Sequence, residues 1–137
     1  RVLIYSEEMI VENLKKTLLI VDDESTILKL LKDRLSNIGY NVITAKDGTS
    51  AVKLAREVHP DAVILDVILP DIDGFEVCRK IKEYDATHST KVIMLSKKKH
   101  KKSIVKGLRT GADDYVTKPF SMAELEARIM RFLNNAI

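Results

Sequence analysis

Apolar and polar residues follow one another along this chain in a pattern that repeats. A continuous apolar run at 18–21 stops on Asp22, Asp23 and Glu24. Apolar residues then recur at helical spacing, at Ile27, Leu28, Leu31, Leu35 and Ile38, up to Gly39. A short apolar run bounded by turn residues predicts a buried strand, and three-to-four spacing predicts an amphipathic helix, here capped by Ser25 and closed by Gly39. The unit returns four times. Strand 42–45 precedes a helix that Asp47 opens, that carries Ala51, Leu54, Ala55 and Val58 inward, and that Pro60 stops. Strand 62–65 runs into Asp66 and a turn marked by Pro70, Asp71, Asp73 and Gly74, followed by a helix with Phe75, Val77, Cys78 and Ile81 inward. After a polar loop at 85–90, strand 92–95 leads through Ser96 to a helix over 104–110 that Gly111 ends. Strand 115–117 leads through Lys118 and Pro119 to a last helix, capped by Ser121, with Met122, Leu125, Ile129, Phe132 and Leu133 on one face.

Strand and helix therefore alternate five times with short connections. This predicts an α/β fold: a five-stranded parallel sheet, doubly wound, with helices on both faces and right-handed crossovers. In such sheets ligands sit beyond the carboxyl ends of the strands where the strand order reverses, which for the common order 2-1-3-4-5 lies between strands one and three. Asp22 and Asp23 end strand one, and Asp66 ends strand three. Three carboxylates in one crevice repel each other. A hard divalent cation, Mg²⁺, relieves the repulsion and leaves coordination sites for water and phosphate oxygens. Ser96 and Lys118 end strands four and five, so a hydroxyl donor and an ammonium reach the same rim, able to face a phosphoryl group between them.

Composition changes this picture little. The 137 residues, 45% hydrophobic and 31% charged, fit one globular domain with a real core. No apolar run approaches the roughly 20 residues of a membrane helix, and no leader pattern is present, so a soluble cytoplasmic protein without membrane contact is expected. Cys78, the single cysteine, reads as a buried thiol on a helix. His59, His88 and His100 fall on loops and helix ends and read as exposed. The basic balance is local: removing the five lysines of 97–102 (KKKHKK) from the net charge of +3 leaves −2.

Four stretches, LLIVDDE, VILDVILPDIDG, VIMLS and GADDYVTKPF, carry a resemblance to the receiver domain of bacterial two-component response regulators over 17 to about 134. The resemblance implies the flavodoxin-like strand order 2-1-3-4-5 and a phosphorelay switch instead of a conventional enzyme, with Mg²⁺-dependent self-phosphorylation and autodephosphorylation. Asp66 would accept a phosphoryl group from a sensor histidine kinase or phosphotransfer protein. Asp22, Asp23, Asp66 and the backbone carbonyl of Ile68 would hold Mg²⁺. Lys118 would pair with phosphoryl oxygens, Ser96 would donate its hydroxyl, and Ser96 with Tyr115 would form the switch. Members also have a cis peptide at the position of Lys118-Pro119. Many dimerise through the fourth helix, fifth strand and fifth helix of the repeat, which here makes an Asp114 to Arg128 contact across a dimer an expectation. An effector domain is expected outside this chain, if one exists.

Competing readings of the same residues fail on spacing. A calcium loop with Gly74 in sixth place would start at Leu69 and end at Lys80, where acids are required. A phosphatase of the haloacid dehalogenase type needs its second acid two places after the first on strand one, and here Asp22 and Asp23 are adjacent. A flavodoxin would need a Ser/Thr/Gly-rich phosphate loop there. Two features depart from the family: Lys97 occupies a position that is usually small, and the loop after it is a lysine run. The bland reading of that run is a solvated loop. The alternative function is a receiver-like binding module that uses 97–102 for an acidic ligand or partner, with only weak contact to nucleic acid expected from this domain. Residues 1–16 stand apart from 17–137, the receiver domain. Arg1 in place of Met reads as the start of a fragment, 2–5 as a strand, and 6–16 as a helix capped by Ser6. VLIYSEE aligns with LLIVDDE, leaving three readings: the tail of a preceding segment, a degenerate copy of the first unit, or coincidence.

Overall fold

A computed structural model describes residues 5–14 and 16–133. Its elements in chain order are α1 (Glu7–Asn13), β1 (Thr17–Val21), α2 (Ser25–Asn37), β2 (Asn41–Ala45), α3 (Gly48–Val58), β3 (Ala62–Leu65), α4 (Gly74–Glu83), β4 (Lys91–Ser96), α5 (Lys101–Arg109), β5 (Asp114–Thr117) and α6 (Met122–Leu133), with a 3-10 turn at Asp85–Thr87. The strands are all parallel, in the order β2-β1-β3-β4-β5. The expected fold class and strand order are both found.

Alternate side chains of a strand leave opposite faces of the sheet, so each apolar strand feeds two cores. Leu19, Val21, Val63, Leu65, Val92 and Met94 meet Ala51, Val52 and Ala55 of α3 and Phe75, Val77, Cys78 and Ile81 of α4. Leu18, Ile20, Ala62, Ile64, Ile93 and Leu95 meet Leu28, Leu31 and Leu35 of α2 and Leu125 and Ile129 of α6. Helix α5 shares the face of α3 and α4, with Gly107 packed so close to Met94 and Tyr115 that a Cβ there would lie 2.9 Å from each. Cys78 is buried, as expected, and burial pushes its thiol pKa up. The three histidines are exposed.

Several local expectations are corrected. Ser25 is the first residue of α2 and makes no cap bond; its hydroxyl accepts from Lys46 Nζ at 3.0 Å, and Glu24 is the N-cap. Gly39 lies one residue beyond the C-cap Ile38, with φ 107°, a conformation that favours glycine. Val58 is 41% exposed, because α3 ends there on His59 in the left-handed region. Helix α5 begins at Lys101: the amides of Ser103 and Ile104 both donate to the carbonyl of His100, closing a first turn that takes in the last two lysines of the run.

Helix α1 is capped by Ser6, whose hydroxyl accepts from the amide of Met9 at 3.2 Å; most of the strand expected at 2–5 lies outside the described residues. The segment docks on the domain. Asn13 Nδ2 donates to the carbonyl of Ile38 at 2.6 Å, and the carbonyl of Ile10 would stand 2.5 Å from a Cβ on Gly39. Tyr5 donates to Glu126 Oε2 at 2.9 Å, while Arg34 Nη2 lies 3.0 Å from Glu126 Oε1. Glu126 is fully buried, and a buried carboxylate is tolerated only when its oxygens are taken up in this way. Burial, together with the bond to Glu126, pushes the Tyr5 hydroxyl pKa up.

Candidate functional site

Three strands deliver their site residues through the backbone ladder, which runs one residue beyond each strand. The amide of Asp22 donates to Ala45 O at 3.2 Å, that of Asp66 to Val21 O at 2.9 Å, and that of Lys118 to Ser96 O at 2.8 Å. Each polar side chain is thus held at the carboxyl edge by the sheet itself. Asp66 then turns the chain: Oδ1 accepts the amide of Ile68 at 3.1 Å, and the amide of Gly74 donates to Val67 O at 2.8 Å to close the loop.

Lys118 Nζ lies 2.6 Å from Asp22 Oδ2 and 3.1 Å from Asp66 Oδ2, all three side chains being buried. Carboxylate oxygens of Asp22, Asp23 and Asp66 come within 4.8 Å of one another, with Asp23 exposed. Burial pushes the Asp22 carboxyl pKa up, against the pull of Lys118. Burial also opposes the Lys118 ammonium, but its bonds to Asp22 and Asp66 outweigh this and its pKa is raised. One ammonium among three carboxylates leaves two negative charges uncompensated. All-oxygen donors and that charge deficit fit a hard divalent cation.

Ser96 is fully buried at the end of β4, and its Oγ accepts the amide of Lys98 at 3.3 Å. Tyr115 is half-buried and donates its hydroxyl to the carbonyl of Lys98 at 2.7 Å; burial raises its pKa. The switch candidates are therefore tied to one short segment. Ile68 directly follows the Asp66 turn with an exposed side chain, and the Lys118-Pro119 peptide is cis.

The profile of the response regulator receiver domain matches residues 18–130. The chain belongs to the response regulator receiver domains. It is 52% identical over 116 residues to "Probable transcriptional regulator ycf27" of Galdieria sulphuraria, an alignment covering 84% of this chain and 44% of that protein. It is 43% identical over 123 residues to the alkaline phosphatase synthesis transcriptional regulatory protein PhoP of Bacillus subtilis (strain 168), covering 90% and 50%. The chain thus spans about half the length of these curated relatives. Among solved structures, the BeF3-activated DrrB receiver domain is similar with a TM-score of 0.78 and 42% identity, over 86% of this chain and 97% of that one. The Francisella response regulator 1452 receiver domain gives 0.81 and 29%, over 89% and 99%. Response regulators work with sensor kinases and often carry effector domains, and receiver domains bind Mg²⁺ at an acidic pocket. No helix among the described residues is long and apolar enough to cross a membrane.

Three features of this receiver's crevice escaped the sequence reading. Lys97 Nζ lies 3.6 Å from Glu24 Oε1, joining the residues that directly follow Ser96 and Asp23. Asp71 accepts the amides of Gly48 at 2.7 Å and Thr49 at 2.8 Å, and the Thr49 hydroxyl, fastening the turn after Asp66 to the start of α3. A groove of about 610 Å³ opens beside Lys118, lined by Ile27, Leu30, Pro119, Phe120 and Met122, with Glu24, Lys97 and Lys99 at its edge. Lys97 stands out in the sequence, but no spacing signal pairs it with Glu24, three residues beyond the end of β1. The expected Asp114 to Arg128 contact is made within the chain, at 2.6 Å, because α6 folds back beside β5; Arg128 also reaches Glu124 at 2.8 Å.

Proposed function

We propose that Asp66 is the residue through which this receiver domain accepts a phosphoryl group from the phosphohistidine of a sensor kinase or phosphotransfer protein. The observation that carries this reading is Lys118 Nζ, held in a buried position by both Asp22 and Asp66. A carboxylate oxygen of Asp66 forms the new P–O bond as the P–N bond breaks, and the imidazole nitrogen leaves with the electron pair. Transfer of this kind needs positioning and charge neutralisation more than covalent help. Lys118, 3.1 Å from the accepting carboxylate, is within reach of the oxygens of a phosphoryl group bonded to it. Asp22, Asp23, Asp66 and the carbonyl of Ile68 would hold Mg²⁺. When bound, that ion would offset the negative charge of the transferring phosphoryl oxygens.

Ser96 would give its hydroxyl to the phosphoryl group. Tyr115 is tied to Lys98, two residues after Ser96, so a shift of Ser96 toward the phosphoryl oxygens would pull on that tether and let the ring turn. A population shift of the α5, β5 and α6 face, as a homodimer or effector contact, would be the output. We assign 17–137 to the receiver domain and 1–16 to an extension whose helix α1 docks on it, place the protein in the cytoplasm, and expect an effector domain in the full protein. With every pocket residue in place, a binding module that has lost phosphorylation is the weaker reading.

The test is incubation with Mg²⁺ and acetyl phosphate, followed by intact-mass spectrometry. A phosphoryl adduct that Asp66→Asn or chelation of Mg²⁺ abolishes is the expected result. A wild-type chain that takes up no phosphoryl group at Asp66 refutes the reading.

A further inference from the structure

Lys97 and Glu24 hold neither the metal nor, in the mechanism above, the phosphoryl group, yet their placement relates them to both. Glu24 follows β1 and Lys97 follows β4, the two strands that flank β3. Their ion pair, at 3.6 Å, therefore joins the loops on either side of Asp66 at the mouth of the crevice. Both are exposed, at 67% for the Lys97 side chain and 44% for that of Glu24, and a pair so exposed opens readily. Both also border the groove beside Lys118, where Lys99 adds another ammonium and Glu24 is, among the described residues, the one lining carboxylate. Lys97 and Lys99 are thus cations bordering a crevice that is itself acidic, and the carboxylate of Glu24 occupies Lys97.

We propose that Lys97 selects phosphoryl donors by charge and is held in reserve by Glu24. As an anionic donor approaches, its oxygens replace the Glu24 carboxylate as the partner of Lys97. This rests on the reading of Asp66 as phosphoacceptor and names the small-molecule donor chemistry that site favours: among small phosphoryl donors, one with high negative charge, such as an acyl phosphate, over one whose leaving group carries a positive charge. With acetyl phosphate the P–O bond to acetate breaks, acetate leaves with the electron pair, and Asp66 forms the new bond.

The test compares second-order rate constants for acetyl phosphate and phosphoramidate at pH 7 with Mg²⁺, followed by intact-mass time courses. Lys97→Ala is expected to lower the acetyl phosphate constant about two- to fivefold, the range of one exposed ion pair, with a smaller effect on phosphoramidate. Glu24→Gln is expected to shift the ratio the opposite way, and its gain is expected to vanish in the Lys97→Ala background. Raising the ionic strength should shrink the Lys97 effect. The inference is overturned if both substitutions move the ratio in the same direction, if they add independently, or if the ratio does not change while the adduct still forms. Failure of both donors to modify wild-type Asp66 would instead remove the phosphoacceptor reading itself, and this inference with it.

Discussion

Gly74 opens α4 directly against the turn that Asp66 begins. A Cβ at this position would lie 2.2 Å from the carbonyl oxygen of Asp66 and 2.7 Å from Val67 Cα, both backbone atoms that cannot rotate away. Contacts under 3.0 Å are not tolerated, so Gly74→Ala must move the start of α4 or the backbone of Asp66 by at least 0.8 Å, the difference between 3.0 and 2.2 Å. Forced overpacking of this kind costs about 1–3 kcal/mol. At this chain length each kcal/mol lowers Tm by about 4 °C. A shift approaching 1 Å at a reacting group can cost about a hundredfold in rate. Gly74→Ala should therefore keep its secondary structure by circular dichroism, melt lower, and take up phosphoryl from acetyl phosphate one to two orders of magnitude more slowly. Gly107→Ala is the control: its Cβ would meet the side chains of Met94 and Tyr115, which can turn aside. A Gly74→Ala protein with wild-type Tm and a transfer rate within about twofold of wild type would refute the geometric reasoning.

Two further predictions concern stability. Tyr5→Phe leaves Glu126 Oε2 without its donor inside the domain, at a cost of about 1–3 kcal/mol; a lower urea midpoint and faster amide exchange in α1 are expected, and exchange equal to wild type would count against docking of the segment. Asp71 is held well below the usual carboxylate range, first by the Thr49 hydroxyl and further by the amides of Thr49 and Gly48. A depressed carboxyl contributes stability above the ordinary value of about 4 and loses it as the pH falls from there toward the folded value. The deficit of Asp71→Asn relative to wild type should therefore be full at pH 6 and shrink in acid, which urea midpoints at pH 6 and pH 3 would check; a constant deficit would show that the charge is not involved.

The strand order and the gathering of Asp22, Asp23, Asp66 and Lys118 were legible because both follow from one regularity. A parallel strand covered on both faces is apolar throughout, so the first polar residue after it marks the carboxyl edge, and the ladder bonds of Asp22, Asp66 and Lys118 show that edge holding each in place. Contacts between elements carry no such period. Tyr5 and Glu126 are 121 residues apart, and nothing in the spacing of either pairs them. Ser25 had the composition of a cap, but its hydroxyl was taken by Lys46 from the next strand's end. Asp114 and Arg128 meet within the chain at 2.6 Å, a closure that their 14-residue separation does not by itself reveal.

The lysine run shows where reading by composition reaches its limit. As a string, KKKHKK is one basic feature, and its natural interpretations are a solvated loop or a polyanion site. In the fold its members separate. Lys97 pairs with Glu24 across the crevice, the carbonyl of Lys98 anchors Tyr115, Lys99 borders the groove, and Lys101 and Lys102 open α5. A polyanion seated along the whole run would have to open the Lys97 contact and lie beside the segment that tethers Tyr115. In the proposed mechanism, charge at this position bears on phosphoryl transfer through Lys97 and on the Tyr115 face through Lys98. The same substitution can change donor choice without changing output, or output without donor choice, depending on which of these adjacent residues it replaces.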